Sequence, residues 1–251
     1  MRARAVAAVR PGTTWLAREV RVAGWLAAAG APVVPPAPGL PPGPHVQDGL
    51  ALSLWTHVET VPAPEDLAPA GAALRTCHRL LAGSGLALPA AGTIEETCRL
   101  VGDLLVRSPR AFDAAEWELL GWWAERLPAV LARRLPERAP IHGDAHPGNV
   151  LHTAAGPLWN DWEDCFQGPP AWDLACMLAG ARVFGSVAPA AEASFLAGYG
   201  DPGVDDESLG LLVDARVLQA PVWGTILAAR RGQRRSPVVT AALAWLRARR
   251  G

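Results

Sequence analysis

The chain contains no lysine, so all 23 of its fixed cations are arginines. Any phosphate it grips must be held by a planar guanidinium or by backbone N–H groups, not by a compact ammonium. Against 24 acidic residues the arginines leave a net charge of −1. A chain this balanced lacks the basic footprint of a nucleic-acid binder. Cysteine is scarce, and Cys77, Cys98, Cys165 and Cys176 show no CxxC spacing, which excludes the usual zinc-ribbon and redox patterns. Three of them sit among apolar neighbours, the pattern of free buried thiols in a reducing cytoplasm. Long apolar runs are also missing. The best candidate, residues 172–184, is interrupted by Arg182 and predicts no membrane span. The amino-terminal apolar run stops at Arg10, too short for a secretory signal. With one Tyr and four Phe, aromatic bulk rests on eleven Trp, which read as core filler.

What is present is concentrated in Pro140 to Ala175, which holds His142, Asp144, Asn149 and Asp161 in one run. Asp144 and Asn149 stand five apart, the offset at which kinase catalytic loops place a base and a metal-binding Asn. Two short apolar arms, Val150-Leu151-His152 and Leu158-Trp159-Asn160, flank a turn-rich spacer. The spacing predicts a hairpin that returns Asp161 to the side of Asn149. One carboxylate would then serve a proton, and a carboxylate plus an amide oxygen would serve a hard cation. Phosphoryl transfer wants this set, because its transferred group is highly charged and Mg2+ takes oxygen ligands. Asp144 would accept the proton of a substrate hydroxyl, with His142 beside it as a brace of the loop more than a reactant. His142 and His146, four apart, offer a rival zinc pair. Gly143, Pro147 and Gly148 argue against the helix such a pair needs.

HGDAHPGN, residues 142–149, resembles the HGDxxxxN signature of the aminoglycoside phosphotransferase family, relatives of choline kinase and protein kinases. Asn160-Asp161-Trp162-Glu163-Asp164, with Gly168-Pro169-Pro170 and Trp172-Asp173-Leu174-Ala175, resembles that family's metal-aspartate segment and following helix. The resemblance implies an α+β, two-lobed, protein-kinase-like fold. It would have a reduced mixed amino lobe over residues 1–61 and a helical carboxyl lobe over 62–251. It implies Mg2+, ATP or GTP as phosphate donor, a hydroxylated small-molecule acceptor, and a structural Asp173 that steadies the catalytic loop. Glu19 resembles the Glu that pairs with the phosphate-gripping Lys. That Lys would fall near Ala7 or Ala8, which leaves Arg10 as the nearest cation. His57 and Glu59 fall at the hinge, where backbone groups would meet adenine. The phosphate-covering hairpin is also missing, so the lobe is either pared down or begins upstream of Met1.

Elsewhere, residues 5–9 read as a strand and Thr14 opens a helix ending near Gly30, with Leu16, Val20, Ala23 and Ala27 inward. The Pro-rich stretch 32–44 is an extended connector, with Val33-Val34 able to pair briefly. Leucines 50, 52 and 54 alternate as a strand. Helices are predicted over 65–82, from a Thr93/Glu96 capping box to Val106, over 114–134, 172–184, 190–197 and 206–231, and from Ser236-Pro237 onward. Trp122 and Trp123 are adjacent and must face different ways.

Asp201, Asp205, Asp206, Glu207 and Asp214, with Glu163 and Asp164, predict an acidic wall. Such a wall would suit a polycationic acceptor such as an aminoglycoside, and so a role in antibiotic resistance. Asp205 to Glu207 equally fit a helix amino terminus. Two functions remain at this point: a Mg2+- and nucleotide-dependent O-phosphotransferase, or a kinase-shaped protein that binds a metabolite or partner without transferring phosphate.

Overall fold

The computed structural model describes residues 12–48, 50–90, 92–135, 137–231 and 235–250. The predicted strand at 5–9 and Arg10 lie outside the described residues. Helix α1, Thr14–Ala28, buries Trp15, Leu16, Glu19, Val22, Ala23 and Leu26. This face is one residue rotated from the predicted one, and Val20 is left half-buried. The chain then runs extended through the prolines. Val34 N–H donates to the Trp159 carbonyl at 3.0 Å, and Trp159 N–H donates to that of Pro32 at 2.9 Å. This brief pairing stitches the connector to the central hairpin. A small antiparallel pair follows, β1 (His45–Gln47) with β2 (Leu50–Leu52), in register His45↔Leu52. Its leucines do not face a core: Leu50 and Leu52 are exposed, and the strand is shorter than the alternation implied.

The remainder is mostly helix. Helix α2, Ala68–Ala82, buries Ala70, Leu74, Cys77 and Leu81 on one side, with Leu67 just ahead of it, as spacings of three and four require. Helix α3, Thr93–Arg107, opens with a capping box one residue earlier than Thr93 suggested: Gly92 N–H donates to Glu95 Oε2 at 3.0 Å. Helix α4, Ala114–Arg134, turns Trp123 into the core. Trp122 is half-buried, with the guanidiniums of Arg126 and Arg250 at its ring. Between α4 and α5 lie two antiparallel pairs. Strand β3 (Ala139–Ile141) pairs with β6 (Phe166–Gly168), and β4 (Val150–Thr153) with β5 (Gly156–Trp159).

Helix α5, Ala171–Arg182, is buried nearly all round. Helix α6, Pro189–Tyr199, packs closely on α2. A Cβ at Gly198 would stand 1.9 Å from the Ala68 carbonyl oxygen, so only glycine permits this approach. Helix α7, Asp206–Arg231, packs against α3, α4, α5 and α8, the last being Pro237–Ala248. By length and composition Asp206–Ala229 is apolar enough to cross a membrane, and half of its window is buried in the protein. It, not residues 172–184, is the longest apolar helix. Its neighbours on several sides make it the spine of the helical core.

Candidate active site

The loop between β3 and the central hairpin is held from below by Asp173, which α5 presents fully buried. Its Oδ2 accepts from His142 N–H at 2.7 Å and its Oδ1 from Gly143 N–H at 2.9 Å. His78 Nε2 lies 2.7 Å from Oδ2, and Tyr199, the single tyrosine, lies 2.9 Å from His78 Nδ1. A buried carboxylate needs such donors, and here three satisfy it. Trp172 Nε1 donates to the Gly143 carbonyl at 2.8 Å. Gly143 itself has φ +89°, and a Cβ there would meet the Asp164 carbonyl oxygen at 2.2 Å, which explains the glycine of HGD.

His142 is fully buried, and its ring stacks 4.4 Å from that of Trp162. Asp144 N–H donates to its Nδ1 at 3.3 Å, so Nε2 carries the proton and donates to the Asn160 carbonyl at 2.9 Å. Both ring nitrogens are used. This removes His142 from the reacting groups and makes it a brace. His146 does not form a zinc pair with it. Its Nδ1 accepts from Gly148 N–H at 3.0 Å and its Nε2 lies 3.5 Å from Asp144 Oδ2.

Asn149 is buried, and its Nδ2 donates to the Asp144 carbonyl at 2.8 Å. That bond orients the amide and leaves its oxygen as the group for a cation. The hairpin register Val150↔Trp159 brings Asn160 back, and its backbone and side-chain N–H groups both donate to the Asn149 carbonyl at 3.0 Å. Asp161 follows at once with φ +66°, a left-handed conformation that Asp tolerates better than most residues. An amide oxygen and a carboxylate at the two ends of one hairpin are hard donors of the kind Mg2+ takes, usually one or two carboxylates with phosphate oxygens. Among the described residues no cluster of three His, Cys, Asp or Glu offers a rival metal cage.

Asp144 Oδ1 lies 2.7 Å from Arg216 Nη2, a residue of α7. Oδ1 is itself buried against that guanidinium, so the part of the half-buried carboxylate left to meet a hydroxyl is on the side of Oδ2. Burial alone would push the Asp144 carboxyl up, but Arg216, then His146 and His142, outweigh it and hold it below its ordinary value. Burial likewise holds His146 below its ordinary value, with Arg216 and His142 adding to the effect against the pull of Asp144 and Asp161. Arg216 also hydrogen-bonds Gln219 Oε1. The sequence reading missed Arg216. The available signal was the set Asp214, Arg216 and Gln219, polar residues breaking an otherwise apolar helix.

The nucleotide-side residues come out differently. Glu19 is buried in α1, which packs on the 3-10 turn Trp162–Asp164. Its carboxyl is pushed up to about 8 by burial, then by Asp161 and Glu163. Among the described residues the charges that raise it are carboxylates, not the expected cation. His57 and Glu59 are exposed side chains on an irregular segment.

A cavity of about 590 Å³ opens beside Asp144. Glu163 and Asp164 line it, but the other members of the predicted acidic wall do not. Asp214 is buried against Arg249 and Trp245. Asp205 Oδ1 accepts from Ser208 N–H at 2.7 Å at the start of α7. Glu207 pairs with Arg134, and Asp201 accepts from Gly203 N–H. The cluster is spent on helix ends and ion pairs, so no acidic wall forms there.

Fold and site together define a class: an α+β, two-lobed, protein-kinase-like phosphotransferase. The chain belongs to the phosphotransferase enzyme family, whose pattern matches residues 9–210, and it is a small-molecule kinase. Its fold is similar to choline kinase LicA from Streptococcus pneumoniae, with a TM-score of 0.67, 18% identity, and 95% of this chain and 82% of that one covered. It is also similar to aminoglycoside phosphotransferase APH(3'')-Id from Streptomyces rimosus, solved with ADP and streptomycin. There the TM-score is 0.62 and the identity 21%, with 84% of each chain covered. Amicoumacin kinase hAmiN, solved with AMP-PNP, Ca2+ and Ami, gives a TM-score of 0.67 at 19% identity over 96% of this chain and 78% of that one. No curated protein sequence matches the chain.

Proposed function

We propose that the enzyme moves the terminal phosphate of ATP or GTP to a hydroxyl of a small molecule. The observation that carries this is Asp144: a half-buried carboxylate kept ionised by Arg216 on a loop anchored on Asp173, with Asn149 bonded to its carbonyl and Asp161 at the end of the returning hairpin. Asp144 aligns the acceptor hydroxyl and takes its proton. In a loose transition state little basicity is needed before the phosphoryl group has moved, so a depressed pKa is no obstacle. Asn149 and Asp161 would hold Mg2+, which supplies charge neutralisation on the phosphates. We place the nucleotide on the side of residues 1–61, against main-chain groups at His57–Glu59, and the acceptor on the helical side, 62–251. Arg10 is proposed to stand in for the missing Lys. We further propose a cytoplasmic setting. Burial pushes all four free thiols up, Cys98 to about 12, so they stay protonated and unreactive.

The test is a thermal-shift titration with ATP and with GTP, each with and without MgCl2. Mg2+-dependent stabilisation is expected, about 2.7 kcal/mol at a hundredfold excess over Kd, and Asp161→Ala should abolish it. Asp144→Asn should keep that stabilisation while turnover falls by about 10²–10⁴.

The second reading, a binding module without phosphate transfer, is favoured by one observation: Glu19 faces Asp161 and Glu163. Absence of stabilisation by either nucleotide would select it.

A further inference from the structure

The cavity beside Asp144 has two unlike ends. At the chemical end stand Asp144, Glu163, Asp164 and Arg216. Among the described residues Arg216 is the one fixed cation in the lining, and its charge is drawn to Asp144 and Asp164 together. That guanidinium offsets one of the three carboxylates, and the remaining negative charge is confined to this end. Much of the rest of the wall is apolar: Trp15 from α1, Phe184 from just after α5, Ala220, Trp223 and Leu227 from α7, and Val238 from α8, with Thr93, His146, Ser186 and Gln219 as its uncharged polar groups. A volume of about 590 Å³ lies within the ~300–1,000 Å³ that holds a drug-sized ligand. An ammonium placed on that wall would exchange its water for at most a cation–π contact with Trp15, Phe184 or Trp223, so a body bearing several ammoniums would lose more hydration than the wall returns.

Building on the phosphotransfer reading above, we propose that the acceptor is a hydroxyl compound with a largely apolar, ring-bearing body, and not a polycation. Its body lies against Trp223, Leu227 and Val238, and its hydroxyl reaches the Asp144 carboxylate that lines the same cavity. Of the apolar residues, Ala220, Trp223, Leu227 and Val238 follow position 210, where the family pattern ends, while Trp15 and Phe184 lie within it. Acceptor preference therefore rests in large part on a stretch beyond the family pattern.

The test uses the full chain and two sets of probes. Chloramphenicol and 4-phenylbutanol represent the apolar-bodied alcohols; kanamycin and streptomycin represent the polycations. Binding is measured by calorimetry without nucleotide, and phosphate transfer with ATP or GTP and MgCl2. Leu227→Asp and Val238→Asp place a charge on the apolar wall at positions exposed enough, 38% and 44%, for the fold to accept it. The expected result is binding of at least one apolar alcohol, weakened about tenfold or more by each variant, with nucleotide-induced stabilisation unchanged. Tighter binding of kanamycin or streptomycin than of both alcohols overturns the proposal. So does binding of neither alcohol, or an affinity for them that both variants leave intact. Binding of the alcohols with no phosphate transferred from either nucleotide keeps the ligand class and sinks the phosphotransfer reading. Transfer to kanamycin but to neither alcohol does the reverse.

Discussion

Two residues govern the catalytic loop, one through its backbone and one through its charge. Gly143 cannot carry a Cβ without striking the Asp164 carbonyl from a positive φ. Gly143→Ala is therefore expected to cost about 2 kcal/mol or more, read as a fall in melting temperature with loss of turnover. Arg216 sets the charge state of Asp144. In the wild type that carboxylate contributes stability above its unfolded value of 3.8, lost only as pH falls through its lower folded value. In Arg216→Met burial acts unopposed by the guanidinium, so the acid limb of the pH–rate profile should move to higher pH. An unmoved limb would show that Arg216 does not govern the base. The HGD loop, Asn149 and Asp161 were legible because their residues lie in one short run. Arg216 was not, because its contact with Asp144 exists only once α7 has packed behind α5.

At the scale of elements, the loop is only as firm as the helices that carry its props. His78 is on α2, Tyr199 ends α6 and Asp173 starts α5, so three helices converge under two backbone N–H groups. Tyr199→Phe removes one hydrogen bond to a buried ring nitrogen and should cost about 1 kcal/mol. Gly198→Ala should cost more, because it forces α6 off α2 as a body. Hydrogen exchange at His142 and Gly143 N–H is the measurement, and both variants should accelerate it. The helices were readable because one-sided burial writes a spacing of three and four into the chain. The small β1–β2 pair was misread because its leucines alternate on an exposed ribbon, where periodicity carries no burial signal. The capping box slipped by one because a Gly backbone can open a helix as well as a Thr hydroxyl can.

For the whole molecule, α1 against the metal-aspartate turn is the contact where pH should be felt. Glu19 has its carboxyl raised from 4.5 to about 8, so the fold favours its protonated form. Metal-free protein should lose stability as pH rises between those two values and level off above the second. Glu19→Gln should show no such decline, so its melting advantage over the wild type should grow across that window. Added Mg2+ should shrink the advantage by neutralising Asp161. The α+β kinase-like fold was legible from the resemblance carried by residues 142–149 and 160–175, not from element order, since α1 precedes β1 and β3 to β6 follow α4. The nucleotide end was not, since its backbone contacts leave no trace in side-chain identity. The cavity wall built by α7 and α8 has a consequence for descent. A lineage can exchange one acceptor for another by rewriting the positions after Gln219 while Arg216 and the machinery that breaks the phosphoanhydride stay untouched. Close cousins of this chain should therefore diverge fastest in their tails, and grafting one tail onto another body should carry the taste for a molecule with it.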